Sequence, residues 1–179
     1  MKVERKCKVI AKEWLTRDAV SMTLDVGDML YHARTVEGQS IYPGQFVHIK
    51  CGDGLLLRRP ISVCFWEGDA AGGRIRIVFE VKGEGTSWLA RCPVGHTVDV
   101  LGPLGNGFQT TPGPYLLVGG GIGVPPLYAC ACYTGCSSTA ILGFRSKDRA
   151  ILLNEFDSEC IDVQIATDDG SLGYHGFVD

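Results

Sequence analysis

The residue types able to do chemistry are gathered in a few short stretches. Arg58-Arg59-Pro60-Ile61-Ser62 sets two guanidinium groups and a hydroxyl around a proline inside an otherwise apolar run. A guanidinium offers a planar fork of donors that matches phosphate oxygens, so a pair leading into a strand suits an anionic ligand lying along that strand. Ser62 is placed to hydrogen-bond a flat heterocycle laid on the same strand. A solvated turn is the alternative reading of the arginine pair. Gly85-Thr86 falls at the start of a short helix, where unpaired backbone N–H groups and the positive end of the helix dipole favour a pyrophosphate. Glycine at 85 lets that phosphate approach the main chain.

A third stretch, Gly119-Gly120-Gly121-Ile122-Gly123, lies between a short apolar run and Val124-Pro125-Pro126. It has the character of a nucleotide-binding turn, but Gly119-x-Gly121-x-x-Val124 departs from the G-x-G-x-x-G fingerprint, and many βα turns carry glycine only for packing. Of the eight cysteines, only Cys130, Cys132 and Cys136 cluster. Their spacing reads as core filling rather than a metal site, which normally needs four ligands on loops. His48 alternates with apolar neighbours and is assigned no catalytic role.

The elements that must position these residues change character along the chain. Val20 to Leu30, Phe46–Lys50, Arg59 to Trp66, Arg74–Lys82 and Thr97–Leu101 read as short strands, Arg74–Lys82 having the cleanest alternation. Thr86 is placed to cap a helix through Ser87–Ala90. This succession is the signature of a small antiparallel barrel. After Gly113, strands at Tyr115–Val118, Thr139–Phe144 and Ile161–Ala166 alternate with helices ending near Tyr133 and spanning about Arg149 to Phe156. That half is expected to be a parallel sheet. The expected division is a barrel over 1–102, a Gly/Pro-rich linker over 103–114 and an α/β domain over 115–179.

Composition bounds the rest. The 179 residues are 45% hydrophobic and 21% charged, ordinary for a globular protein and unlike a disordered one. A net charge of -3 gives no general attraction to nucleic acid or anionic membrane. Met1–Cys7 lacks the apolar core of a secretory signal, and no run approaches the ~20 residues of a membrane span. A cytoplasmic location is expected.

In this order, the motifs resemble the ferredoxin–NAD(P) reductase superfamily, and within it the electron-transfer subunit of NAD-dependent (class B) dihydroorotate dehydrogenase. The resemblance rests on Pro43-Gly44-Gln45-Phe46, Arg58-Arg59-Pro60-Ile61-Ser62, Lys82-Gly83-Glu84-Gly85-Thr86, Gly102-Pro103-Leu104-Gly105-Asn106-Gly107-Phe108 and Thr167-Asp168-Asp169-Gly170-Ser171-x-Gly173. It implies a six-stranded flavin-binding barrel followed by a nicotinamide-binding α/β domain. Arg59, Pro60, Ile61 and Ser62 would line FAD, Val78, Phe79 and Glu80 would contact it mainly through backbone, and Gly85 and Thr86 would hold its pyrophosphate. Gly119, Gly120, Gly121 and Gly123 would face NAD. In the superfamily the 2′-phosphate is read near the end of the third strand, where this chain has Asp168. A carboxylate accepts a ribose hydroxyl and repels a phosphate, so NAD is favoured over NADP; a plain Asp-Gly turn is the alternative. No general acid or base is implied.

The resemblance also implies a partner, the FMN-containing catalytic dihydroorotate dehydrogenase subunit of a hetero-oligomer in pyrimidine biosynthesis. Related subunits of ferredoxin- or sulfide-linked NAD(P)H oxidoreductases, or a cofactor-free interaction module, remain as alternatives. Family members continue past the third strand with a Cys-Gly-Pro segment and a C-x4-C-x2-C-type loop holding a [2Fe-2S] cluster. Neither pattern occurs here, so no metal ligands are expected in this chain. The sequence is expected to correspond to an amino-terminal portion, with a complete barrel and about half of the nicotinamide domain; a natural short homologue is the other option.

Overall fold

A twelve-residue strand that sequence periodicity did not reveal opens the fold: β1 (Val3–Trp14) buries Cys7 and Val9 and turns Lys6 and Lys8 outward. The structure, a computed structural model, describes residues 3–33, 41–110, 113–135 and 137–178. Cys136 and residues 111–112 of the expected linker lie outside them. The chain divides into two units, Met1–Phe108 and Gln109–Asp179.

In the first unit, β2 (Ala19–Asp25) ends sooner than the apolar alternation through Val26 suggests. The Asp25 carboxylate accepts the Gly27 N–H at 2.9 Å, the chain turns, and α1 (Met29–Ala33) follows, burying Met29 and Leu30. Then come β3 (Phe46–Lys50), β4 (Arg59–Gly68), β5 (Gly73–Glu80), α2 (Glu84–Arg91) and β6 (Thr97–Leu104). The strands close an antiparallel barrel in the order β1-β2-β5-β4-β3-β6. Its interior is filled by alternate residues such as Met22, Leu24, Ile49, Val63, Ile75, Ile77 and Val100. Each fully buried aliphatic side chain contributes ~1.5–3 kcal/mol of transfer free energy. Leu89 and Ala90 of α2 join this core, and Lys12 Nζ donates to the carbonyls of Ala90 and Cys92 at 2.8 and 2.7 Å, satisfying that helix's C-terminal end. Within the stretch expected to be linker, β6 runs to Leu104 and the Phe108 N–H returns to the Pro43 carbonyl at 2.7 Å.

The second unit is a sheet of β7 (Leu116–Gly120), β8 (Thr139–Phe144), β9 (Asp162–Thr167) and the short β10 (Tyr174–His175), in the order β10-β9-β8-β7 and parallel throughout. The connection β7–β8 carries α3 (Val124–Thr134) and β8–β9 carries α4 (Leu153–Glu159). Pro125 and Pro126 occupy the first turn of α3, where a missing N–H leaves no acceptor unsatisfied. Leu117, Ala140, Leu142 and Phe156 are buried, and Gly119 admits Leu127 of α3 so closely that any Cβ there would clash. Leu116 and Val118, of opposite parity, are 62% and 45% exposed.

Candidate functional site

The ladder between β4 and β5 stops at Val63–Ile77. Beyond that point Arg59–Ser62 pair only with β3, and Val78–Glu80 pair only with β2. The barrel wall therefore opens between these two segments, and main-chain groups along the opening have no partner strand to satisfy them. Such an opening suits a planar ligand rich in ring nitrogens and carbonyls. The Phe79 side chain is 3% exposed inside the barrel, so only its backbone can serve a ligand; Ser62 has the outward parity of Pro60. Glu80 is tied to Lys82 at 2.6 Å.

The opening is flanked by an anion-suited corner. The Arg59 side chain lies across Gly85, in the first turn of α2, and a Cβ on Gly85 would fall within 3.0 Å of Arg59 Cγ and Cδ. Among the described residues the Arg59 side chain makes one hydrogen bond, to the Leu57 carbonyl at 2.8 Å, and no carboxylate pairs with it. The first intrahelical bond of α2 runs from Ser87 N–H to the Gly83 carbonyl, leaving the N–H groups of Glu84, Gly85 and Thr86 without helical acceptors. The helix starts earlier than the expected Thr86 cap. Thr86 instead sits in the first turn, where its Oγ1 accepts the Lys82 and Gly83 N–H groups at 3.0 and 3.2 Å and fixes the entering loop. Burial raises the Cys51 thiol to about 11, with the Arg59 charge pulling it down.

Arg58 is not a solvated turn residue, the alternative reading of the arginine pair. Its guanidinium pairs with Asp99 Oδ1 at 2.7 Å and with Glu4, and donates to the Asp99 carbonyl at 3.2 Å. Burial tends to raise the Asp99 carboxyl, but hydrogen bonds from Arg58 and Lys6 outweigh it and hold the group below its ordinary value. Gln45 makes a second clip, accepting the Tyr42 N–H at 2.8 Å and donating to the Gly105 carbonyl at 2.7 Å. The Arg58–Asp99 and Gln45–Gly105 contacts are distant in sequence and leave no local signal.

In the second unit, a cleft of about 400 Å³ opens at the carboxyl ends of β7, β8 and β9, lined by Gly120, Gly121, Gly143, Arg145, Asp168 and Phe177, among others. Open parallel sheets place ligands at this end. Gly120 and Gly121 thus line the cleft, whereas Gly119 is used in packing and Gly123 precedes α3. The two aspartates separate. Asp169 accepts the Ser171 hydroxyl and N–H at 2.6 and 3.0 Å, and the Ser171 Oγ accepts the Lys147 N–H at 2.8 Å, tying the loops after β8 and β9. Asp168 is the aspartate left facing the cleft.

Among the described residues no three His, Cys, Asp or Glu side chains are grouped to hold a metal ion, and no helix is long and apolar enough to cross a membrane. Cys130 is buried in α3.

A six-stranded antiparallel barrel followed by a parallel unit is the ferredoxin reductase-like fold of FAD- and NAD-binding proteins. No family model matches the chain. The electron transfer subunit of dihydroorotate dehydrogenase B (NAD(+)) from Fusobacterium nucleatum is 40% identical over 187 residues, covering 99% of this chain and 68% of that protein. The corresponding subunit from Bacillus caldolyticus is 46% identical over 145 residues, covering 76% of this chain and 55% of that protein. The chain belongs to the family of dihydroorotate dehydrogenase B electron transfer subunits. It spans between about half and two thirds of the length of these relatives. A solved structure of an NADH-dependent reduced ferredoxin-NADP oxidoreductase, described for flavin-based electron bifurcation, matches with TM-score 0.78 and 30% identity over 96% of this chain and 60% of its own. Phthalate dioxygenase reductase, at TM-score 0.73 and 21% identity over 93% and 52%, shares the fold.

Proposed function

We propose that this chain is the flavin-carrying part of an electron-transfer subunit that passes electrons between NAD(H) and a partner flavoprotein, the catalytic dihydroorotate dehydrogenase subunit. The observation that carries the reading is the opened wall between Arg59–Ser62 and Val78–Glu80, with the Arg59–Gly85 corner beside it. FAD has the matching parts: a planar ring system with polar edges and a pyrophosphate. The corner supports this fit, because the helix start is glycine where a side chain would fill the space and Arg59 retains unused donors. FAD supplies the two-electron chemistry when bound.

The chain's own residues do the holding. The main chain of Arg59–Ser62 and Val78–Glu80 takes the polar edge of the ring system and fixes its plane. Arg59 and the N–H groups of Gly85 and Thr86 neutralise the pyrophosphate. In the second unit, Gly120 and Gly121 let the NAD phosphates approach the backbone, and Asp168 takes a ribose hydroxyl, which selects NAD(H) over NADP(H) by repelling a 2′-phosphate. None of these residues needs to move a proton; their work is to orient and to exclude solvent.

The eight cysteines do not form the C-x4-C-x2-C pattern that the resemblance implies for a [2Fe-2S] centre, so no electron-transfer step through a cluster is assigned to the residues of this chain. A ferredoxin-linked reductase is the second reading, favoured by the likeness to the NADH-dependent ferredoxin-NADP oxidoreductase. Identification of the co-purifying protein separates the two. The flavin assignment itself is tested by titrating the purified chain with FAD. Saturable binding with flavin absorption bands is expected, and a colourless protein that rejects added FAD would sink it.

A further inference from the structure

Consecutive arginines at the start of β4 have opposite fates. Arg59 shares the inward parity of Ile61 and Val63 and lies at the barrel rim over Gly85. Arg58 has the opposite parity and reaches across β3 to β6 and β1. There its side chain is 22% exposed and Asp99's is 17% exposed, so this is a largely desolvated pair rather than a solvated surface bridge. The guanidinium fork is divided among a carboxylate oxygen of Asp99 at 2.7 Å, the Asp99 main-chain carbonyl at 3.2 Å and the carboxylate of Glu4. The Nη1 that donates to the Asp99 carbonyl also lies 3.5 Å from the His48 carbonyl. Lys6, at 3.2 Å from the other Asp99 oxygen, completes the cluster.

A planar fork held by acceptors on several strands restrains both the position and the rotation of its own main chain. That main chain is the peptide joined to Arg59. The Leu57 carbonyl, which accepts the Arg59 hydrogen bond, belongs to the residue before Arg58, so the clamp fixes Arg59's acceptor as well as its backbone. Without it, the two residues before Arg58 have little packing of their own to hold them: Leu56 is 97% and Leu57 is 68% exposed.

We infer that Arg58, with Asp99 as its anchor, is a positioning residue that sets the direction in which Arg59 presents its free donors to the ligand phosphate. The inference rests on the flavin reading above and deepens it: of the two arginines only one is a ligand contact, and the other acts through it. The neutralised Arg58 also spares the site a second uncompensated charge beside Arg59.

The test is a double-mutant cycle on FAD affinity in the whole chain, using Arg58→Ala, Arg59→Ala and both together, with a thermal melt of each variant to show that it is folded. Arg58→Ala is expected to weaken FAD about tenfold, the loss of roughly one charge-assisted hydrogen bond. In the Arg59→Ala background the same change is expected to cost less than about twofold, because a residue acting through another has nothing left to position. Asp99→Asn follows the same pattern and carries the test if Arg58→Ala does not fold, and Arg58→Lys is expected to recover only part of the affinity because an ammonium lacks the fork. Additive losses would show a general structural role and overturn the inference, as would an Arg58→Ala chain with wild-type affinity. A wild-type chain that binds no FAD would remove the flavin reading itself, and the inference with it.

Discussion

Gly85 in the first turn of α2 is spanned by the side chain of Arg59, with no room for a Cβ between them. This makes Gly85→Ala an informative change. By helix propensity alone alanine would be favoured by ~1 kcal/mol. The methyl group must instead displace Arg59 and take the space proposed for a phosphate. The expected result is a folded variant, unchanged in far-UV circular dichroism, with FAD affinity lowered about tenfold or more. Binding equal to wild type would show that the corner is packing alone.

Arg59→Ala removes the cation from the same corner and is expected to weaken FAD binding by about 1.5–3 kcal/mol, the range for hydrogen bonds to charged groups. The weakening should be largest at low salt, since this corner is only partly shielded from solvent. Isothermal titration at two ionic strengths checks both statements. Unaltered affinity counts against the flavin assignment.

Much of this corner was legible before the structure because arginine, proline, serine and glycine carry their chemistry locally. The strands β3 and β5 were legible for a related reason: one face is packed and the other wet, so the period of two is written in side-chain polarity. The strand β1 was not, because beyond Cys7 and Val9 nearly all of its residues are charged or exposed, and its place is set by pairing with β2 and β6. The apolar run through Val26 continued the strand pattern on paper, yet the Asp25–Gly27 turn converts it into α1. Glycine and proline density marked 103–114 as a connection, but density cannot say that Phe108 folds back against Gly44 and Pro43. Arg58 had the same difficulty, since its anchor Asp99 is distant in sequence.

The paired aspartates after β9 give a prediction with a built-in control. Asp168 lines the cleft, while Asp169 is committed to Ser171. Asp168→Asn is expected to relax discrimination between NADH and NADPH, read as the ratio of their dissociation constants. Asp169→Ala should weaken both nicotinamides together by loosening the loop, with that ratio unmoved. If Asp168→Asn leaves the ratio unchanged, the residue is only part of a turn.

Lys12 offers a stability test remote from both sites. Its ammonium satisfies the carbonyls of Ala90 and Cys92 where α2 ends. Lys12→Met keeps most of the side-chain volume and leaves those acceptors unpaired, an expected cost of about 1–3 kcal/mol. Urea unfolding measures the loss. Because α2 also carries Gly85, FAD affinity should fall as well, but by less than for Arg59→Ala.

Stability should decline at both ends of the pH scale for reasons that differ in sign. Asp99 is tended upward by burial, but Arg58 and Lys6 hold its folded value below the ordinary one. Its contribution is therefore full above the unfolded carboxylate value of ~3.9 and is lost as pH falls through the lowered folded value. Cys7 behaves oppositely: burial raises its thiol to about 12 despite the opposing charge of Arg5. That contribution is full below the unfolded thiol value of ~8.5 and drains away as pH rises toward the folded one, because the unfolded chain releases the proton first. Urea midpoints from about pH 3 to about pH 10 test both limbs. Asp99→Asn is expected to be less stable than wild type at neutral pH, with the gap closing only on the acid side. Cys7→Ala should lose stability throughout by leaving a cavity, but with a flatter alkaline limb. An alkaline limb identical to wild type would mean that another group governs it.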